Sequence, residues 1–212
     1  NQDNIVQDAL QSRKVIMPSS EPITELNDNL YGALELKNEI LFRKLQDFAE
    51  MIIACIRTGK AQFAVSAMLD DSSAKEKAAG VWLAYKNDLE GANVWYTLNK
   101  KKFASTGPLI INAQDNIHPN IIGSLASKLT KHDKVVLIIA HLSNESIKFS
   151  LRCRTEMVNI KDIIQRIFKE IDGEYGGDNL NIGGTFSRSD EEKFISMAQT
   201  ALQQASFEER IS

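Results

Sequence analysis

The residues best suited to chemistry lie in one short stretch, IKFSLRCR at positions 147–154. In an extended strand, successive side chains point to opposite faces, so this stretch divides into two sets. The apolar set is Ile147, Phe149, Leu151 and Cys153, and the polar set is Lys148, Ser150, Arg152 and Arg154. A half-buried strand with a solvated face explains this alternation, and so does a face that binds an anion. The eight residues alone leave both explanations open.

A second candidate is the glycine-rich segment EYGGDNLNIGGTFS at positions 174–187. Two glycine pairs, Gly176-Gly177 and Gly183-Gly184, flank a polar loop. Glycine lets backbone N–H groups converge on an anion or lets a ligand approach the chain closely. The alternative is a helix cap followed by a β-bulge.

Catalytic candidates are few. The histidines are His118, His132 and His141, and none pairs with an acidic residue in an arrangement typical of a metal site. His118 precedes a proline at a predicted helix start, where a capping or turn role is the alternative to a binding role. The sequence also lacks the phosphate-loop, dinucleotide and nucleophile-elbow patterns. We therefore predict no catalytic residue, metal or cofactor in this chain.

Composition narrows the class of protein. The chain has 212 residues, a net charge of −3, 43% hydrophobic and 25% charged residues, which is typical of a globular protein. Nucleic acid would therefore need a local basic patch, and the run Lys100–Lys102 is either such a patch or a solvated turn. Cys55 and Cys153 lie in apolar patterns and indicate a reducing compartment. No membrane span or signal peptide is evident, so we expect a cytoplasmic protein.

Hydrophobic periodicity predicts the elements that carry these residues. The predicted helices cover 35–57, 60–70, 74–91, 119–129, 159–171 and 189–204, with a short one at 4–13. The predicted strands cover 93–98, 108–113, 134–140, 147–154 and 181–187. The run at 134–140 is apolar throughout, as a buried central strand would be, and 147–154 follows it as a hairpin partner.

These elements predict an α/β fold in which a mixed sheet is flanked by helices and preceded by a helical segment. The predicted divisions are an extended lead-in over 1–34, a helical segment and connector over 35–104, and the α/β domain over 105–212.

Several segments, taken in order, resemble the DHHA1 domain of RecJ-like proteins of the DHH phosphoesterase family. They are IHPNIIGSLASKL (117–129), KVVLIIA, KFSLRCR and YGGDNLNIGGTFS, and IIACIRTGKAQFAVSAMLDD (52–71) resembles the helical segment that joins the two domains of archaeal relatives. The resemblance implies a domain that holds single-stranded DNA or RNA for a separate catalytic domain. The binding residues that it implies are Lys148, Ser150, Arg152, Arg154, His118, Gly176 and Gly177.

Two departures distinguish this sequence from that family. No Asp-His-His motif occurs, and the family's Gly-Gly-His is Gly176-Gly177-Asp178, where an aspartate would repel phosphate. A further Ala-Ala-Gly pattern has become Ile182-Gly183-Gly184. Some archaeal RecJ-like proteins lack a nuclease centre and associate with the GINS complex and the MCM helicase at the replication fork. With these departures, the present sequence resembles that group of proteins.

Three hypotheses follow. The first is a non-catalytic RecJ-like accessory of the archaeal replication machinery that associates with GINS and MCM. The second is the substrate-binding half of a single-strand exonuclease, whose catalytic domain and Mn²⁺ or Mg²⁺ would lie outside this chain. The third is a free-standing single-strand-binding module. In this third hypothesis, four aromatic residues are candidates for stacking on bases: Trp82, Trp95, Tyr96 and Phe103. Their predicted helix and strand positions favour packing in the core instead.

Overall fold

The computed structural model describes residues 34–36, 39–42, 45–103, 107–155 and 158–211. The predicted short helix at 4–13 and nearly all of the predicted lead-in lie outside them. The helices are α1 (Leu45–Arg57), α2 (Ala61–Met68), α3 (Ser72–Asn99), α4 (Ile122–Leu129), α5 (Ile160–Ile167) and α6 (Glu191–Ile211). The strands are β1 (Leu34–Leu36), β2 (Glu39–Phe42), β3 (Leu109–Asn112), β4 (Val135–His141), β5 (Ser146–Cys153), β6 (Gly173–Gly177) and β7 (Asn181–Ser187).

The chain divides into two compact units, residues 1–48 and residues 49–212. In the first unit, β1 and β2 form an antiparallel pair with Leu36 opposite Glu39. The prediction of one helix over 35–57 is therefore wrong at 35–36 and 39–42, which lie in these strands, and the helix that the structure describes begins at Leu45. Short apolar runs satisfy helical and strand periods about equally well, and here backbone pairing between two segments decided the outcome.

The second unit is built on a five-stranded sheet of order β3-β4-β5-β7-β6. Strands β3 and β4 are parallel, and the remaining pairs are antiparallel. This confirms the mixed sheet, the buried strand β4 and its hairpin with β5. The glycine pair Gly176-Gly177 lies in β6 and does not close the preceding helix as predicted, because Gly176 pairs with Gly183 across the ladder.

One face of the sheet carries the main hydrophobic core. Ile147, Phe149, Leu151 and Cys153 from β5 all pack there, beneath apolar residues of α5 and α6. Helix α5 contributes its isoleucines at helical spacing, from Ile160 to Ile167. The predicted apolar face of β5 is thus confirmed, and its polar face turns toward the opposite side of the sheet.

Helix α4 covers that opposite side. Leu125 and Ala126 are fully buried on it, and α4 packs on both β4 and β5. Helices α2 and α3, and α1 from Ala49 onward, lie in the same unit, with α2 packed on α3. Among the described helices, none combines the length and apolar character required to cross a membrane.

Helix α3 is longer than predicted. The predicted strand at 93–98 is wrong, because these residues belong to this helix. It begins at Ser72, where the Asp71 carboxylate accepts a hydrogen bond from the Ala74 amide, and it continues past Gly91 to Asn99. A single glycine costs a helix only about 1 kcal/mol, which the burial of the adjacent Ala92 helps to offset. The three lysines that follow form one exposed turn of 3-10 helix.

Candidate functional site

A cleft of about 230 Å³ lies between the polar face of β5 and the N-terminal end of α4. Lys148, Ser150 and Arg152 line it from β5. The strand register places Thr185 of β7 opposite Lys148 and Gly183 opposite Ser150, and both β7 residues also line the cleft. The alternation seen in the sequence therefore places a row of polar side chains in the cleft, next to the glycines of β7.

Ser150 is buried in this cleft, with only 4% of its surface exposed. Its hydroxyl has no hydrogen-bond partner among the described residues. A buried polar group without a partner costs about 1–3 kcal/mol, so such groups in native proteins call for an explanation. A bound polar ligand in the cleft supplies one.

Arg57 reaches the cleft from the last turn of α1. Its Nη1 donates hydrogen bonds to the Tyr85 hydroxyl at 3.0 Å and to Ser124 Oγ. The Tyr85 and Ser124 oxygens are themselves 2.7 Å apart. This hydroxyl pair holds the guanidinium at the N-terminal end of α4. Sequence reasoning missed Arg57, because it lies far before β5 in the chain and at the end of an ordinary amphipathic helix.

Arg152 is fixed by backbone carbonyls. Its Nη1 donates to the Leu151 and Ile182 carbonyl oxygens, both at 3.0 Å. Its Nη2 faces Gly123, since a Cβ placed on Gly123 would lie 3.4 Å from it. The same Cβ would lie 3.6 Å from Arg57 Nη1 and 3.7 Å from Ser150 Oγ. Gly123 therefore marks the point where the two guanidinium groups and the unpartnered hydroxyl converge.

The cleft is electrostatically positive. Among the described residues, its lining contains three cations, Arg57, Lys148 and Arg152, and no carboxylate. Burial lowers the pKa of Lys148, and the nearby charge of Arg57 lowers it further. Burial and Arg57 likewise lower the pKa of Arg152, while Asp178 opposes that shift. Both directions mean that the unliganded cleft disfavours positive charge, and a bound anion would relieve this cost.

The first turn of α4 adds backbone donors. Ile122 and Gly123 line the cleft and are the first two residues of α4, where amides have no partner within the helix itself. Free amides at a helix N-terminus, together with the helix dipole, favour a negatively charged group. This end of α4 and the cations of β5 and α1 thus favour the same kind of ligand.

The glycines of β7 and β6 serve close packing of the strands. A Cβ on Gly184 would overlap the Glu174 carbonyl oxygen and the Phe149 ring, so a side chain has no room there. Gly176 is different, since a Cβ on it would meet nothing within 4 Å. Gly176 pairs with Gly183, which pairs with Ser150, so the three lie in one row across the sheet.

Some predicted binding residues lie outside the cleft. Arg154 follows β5, is exposed, and donates from Nη1 to the Lys131 carbonyl oxygen at 3.3 Å. His118 lies in the turn before α4, where its Nδ1 accepts from the Asn120 amide at 3.2 Å, in keeping with the turn role. Gly177 has a φ of 134° and a Cβ there would overlap Asn181, so its role is conformational.

Asp178 does not line the cleft either. Its Oδ1 accepts from the amides of Leu180 and Asn181, both at 2.8 Å, and closes the β6–β7 turn. These hydrogen bonds lower the pKa of the Asp178 carboxyl, and the charge of Arg152 adds a smaller effect in the same direction. Asp178 therefore acts on the cleft only at a distance.

A separate polar cluster surrounds His141 at the end of β4. Its Nε2 lies 3.2 Å from Glu191 Oε2, and its Nδ1 lies 3.1 Å from Asp115 Oδ2 without hydrogen-bond geometry. Asn112 Nδ2 donates to the other oxygen of Glu191 at 2.7 Å. This cluster ties the start of α6 to the ends of β3 and β4. Within the described ranges, no group of three or more His, Cys, Asp and Glu residues is placed to hold a metal ion.

The second unit is thus an α/β unit with a mixed β-sheet and a polar cleft beneath one short helix. Residues 106–204 match the model of the DHHA1 domain, so this part of the chain is a DHHA1 domain. The chain is also similar in structure to RecJ from Thermus thermophilus in complex with Mn²⁺, with a TM-score of 0.55 and 17% identity over 74% of this chain. A second similar structure, exonuclease RecJ bound to manganese, has a TM-score of 0.55 and 18% identity over 81% of this chain.

The two RecJ structures share the fold, and both chains are longer than this one. The chain spans 24% of the Thermus RecJ and 43% of the second RecJ. No curated protein matches the sequence. The predicted RecJ-like fold and DHHA1 domain are thus confirmed.

Proposed function

We propose that this RecJ-like protein binds single-stranded nucleic acid by placing a backbone phosphate in the cleft of Arg57, Lys148 and Arg152. The observation that carries the proposal is the unpartnered hydroxyl of buried Ser150, which faces three cations in a cleft whose described lining has no carboxylate. The oxygens of one phosphate group can together accept hydrogen bonds from a hydroxyl, guanidinium groups and helix amides. The DHHA1 match also supports the proposal, because the resemblance to RecJ-like proteins implies a domain that holds single-stranded nucleic acid.

The chain in this proposal binds without cutting. RecJ is an exonuclease that was solved with manganese, whereas the described residues of this chain do not form a matching ligand set. Its role is then that of a cytoplasmic accessory of the archaeal replication machinery that associates with GINS and the MCM helicase. That partner assignment rests on the resemblance stated above and is tested by co-purification of this chain with GINS subunits.

A second candidate is the substrate-binding half of a RecJ-like exonuclease. It is favoured by the share of RecJ that this chain matches, 24% in one structure and 43% in the other. The same cleft serves both candidates, since the strand must be held whether or not it is cut. The full-length gene separates them: an Asp-His-His motif encoded upstream of this chain, with cleavage of single-stranded DNA by the full-length product in the presence of Mn²⁺, supports the exonuclease.

Fluorescence anisotropy with a labelled single-stranded oligonucleotide tests the binding itself. We expect binding that weakens as salt rises, and a loss of at least about tenfold in Arg152→Gln, because a buried charged contact to phosphate is removed. Arg166→Gln is the matched control, since Arg166 is an exposed arginine on α5, on the other side of the sheet. Equal affinity of wild type and Arg152→Gln at low salt would refute the proposal.

A further inference from the structure

A second concavity of about 750 Å³ adjoins the cleft. It is a groove between α1, α3 and α4, lined among others by Ile53, Leu83, Ser127 and Lys128. Arg57 lines both the cleft and the groove. Ser124, which accepts a hydrogen bond from Arg57, also lines the groove, so the two spaces meet at this pair of side chains.

The groove carries more positive than negative charge. Its cations are Arg57, Lys86, Lys128 and Lys131, and its described carboxylates are Glu50 and Glu90. Lys128 and Lys131 lie at the C-terminal end of α4, opposite the end that faces the cleft. Arg154 lies beside them, because it donates to the Lys131 carbonyl oxygen. Cations therefore follow α4 from its first turn to its last.

The lining of the groove is partly apolar. Ile53 is 44% exposed and Leu83 is 55% exposed, so both present apolar surface to solvent. Lys86 Nζ lies 4.5 Å from the Trp82 ring centre at the same wall. Apolar side chains and cations in one groove suit a chain that alternates flat bases with phosphates.

We infer that a single strand anchored in the cleft continues past Arg57 along α4, and that Lys128, Lys131 and Arg154 hold its next phosphates. Helix α4 has eight residues and is about 12 Å long, which is enough for only a few nucleotides. The inference rests on the proposed function, since the cleft provides the anchor. It extends binding from the sheet to helix α4 and the groove beside it, and it gives the charge of Arg154, which lies outside the cleft, a role in binding.

The test compares a trinucleotide with a decanucleotide of single-stranded DNA. In the double variant Lys128→Ala, Lys131→Ala, we expect the decanucleotide to bind about tenfold more weakly and its salt dependence to fall by about 1.4, for two lost phosphate contacts at about 0.7 each. The trinucleotide, held by the cleft alone, should bind as it does to wild type. The control Lys161→Ala, Lys169→Ala removes two exposed lysines from the other side of the sheet.

The outcomes separate the two proposals. Unchanged affinity and salt dependence for the decanucleotide in the Lys128, Lys131 variant would overturn the path along α4 while leaving the cleft intact. Unchanged affinity for both oligonucleotides in Arg152→Gln would overturn the cleft and the path together.

Discussion

Ser150 and Arg57 show how single side chains define the cleft. Ser150 lies between two cationic positions of one strand, Lys148 and Arg152, and its burial comes from helix α4 above it. Arg57 arrives from a different helix and is held by the hydroxyls of Tyr85 and Ser124. Each of these residues is ordinary by itself. Their convergence on Gly123 is what makes an anion site.

The charge of Lys148 should have opposite effects on stability and on binding. Its pKa is lowered in the folded protein, so in the range between that lowered value and the ordinary lysine value the unfolded chain holds more protons. Stability should therefore rise with pH through this range, whereas affinity for an oligonucleotide should fall as Lys148 loses its charge. Below the lowered pKa, the destabilising effect of the charge is present in full.

The variant Lys148→Met tests both signs. We expect it to be more stable than wild type at neutral pH in urea unfolding, and to bind the oligonucleotide more weakly in anisotropy. Lys161→Met is the control, since Lys161 is exposed on α5. A Lys148→Met variant that is less stable than wild type and binds equally well would mean that this lysine serves packing alone.

Helix α4 is the element that organises the site. Its buried face, with Leu125 and Ala126, packs on β4 and β5, and its first turn closes the cleft. Its other end presents Lys128 to the groove. A helix of only eight residues depends on this packing for its stability, because isolated helices of such length are marginal in water. The sheet thus holds in place the helix whose two ends would hold a strand.

The variant Gly123→Ala should change the stability of the protein and its affinity for an oligonucleotide in opposite directions. A Cβ there would be in ordinary contact, at 3.4 Å or more from its neighbours, so the variant should fold. We expect it to be more stable by about 0.4–1 kcal/mol, since alanine favours the helix and restricts the unfolded chain. The added methyl group occupies the point between Arg57, Ser150 and Arg152, so oligonucleotide affinity should fall.

Thermal unfolding and anisotropy on the same variant check this. Gly80→Ala in α3 is the control, because a Cβ there meets nothing within 4 Å and the position is away from the cleft lining. If Gly123→Ala bound as tightly as Gly80→Ala, the ligand would not lie at the first turn of α4.

At the scale of the whole molecule, a net charge of −3 does not by itself indicate a protein that binds polyanions. The distribution of charge matters more than its sum, because three cations share a cleft whose described lining has no carboxylate. Bringing these cations together disfavours the folded state, and a ligand that binds only the folded state reverses that effect.

An oligonucleotide should therefore raise the melting temperature. At a hundred times Kd, a ligand adds about 2.7 kcal/mol, which is about 5–10 °C in Tm for a protein of this size. Differential scanning fluorimetry with and without the decanucleotide measures the shift. The double variant Arg57→Gln, Arg152→Gln should show none, and an equal shift in that variant would place the ligand elsewhere.

Local sequence determined much of this protein. Alternation over 147–154 correctly predicted which side of β5 is buried, and the apolar run before it correctly predicted a central strand, because side-chain direction in a strand depends only on neighbouring residues. The ordered motifs also indicated the DHHA1 domain. Local pattern was less reliable where two structures fit one short run, as at 34–42 and 93–98.

Only the tertiary structure decided which polar groups meet. Arg57 and Ser150 are far apart along the chain, and no period relates them, yet the packing of α1 and α4 on the sheet brings both to Gly123. The same packing leaves Arg154 outside the cleft although it belongs to the same alternating stretch. Alternation determines the face of a strand, whereas the position of a helix above that face determines which of its residues are buried and which remain in solvent.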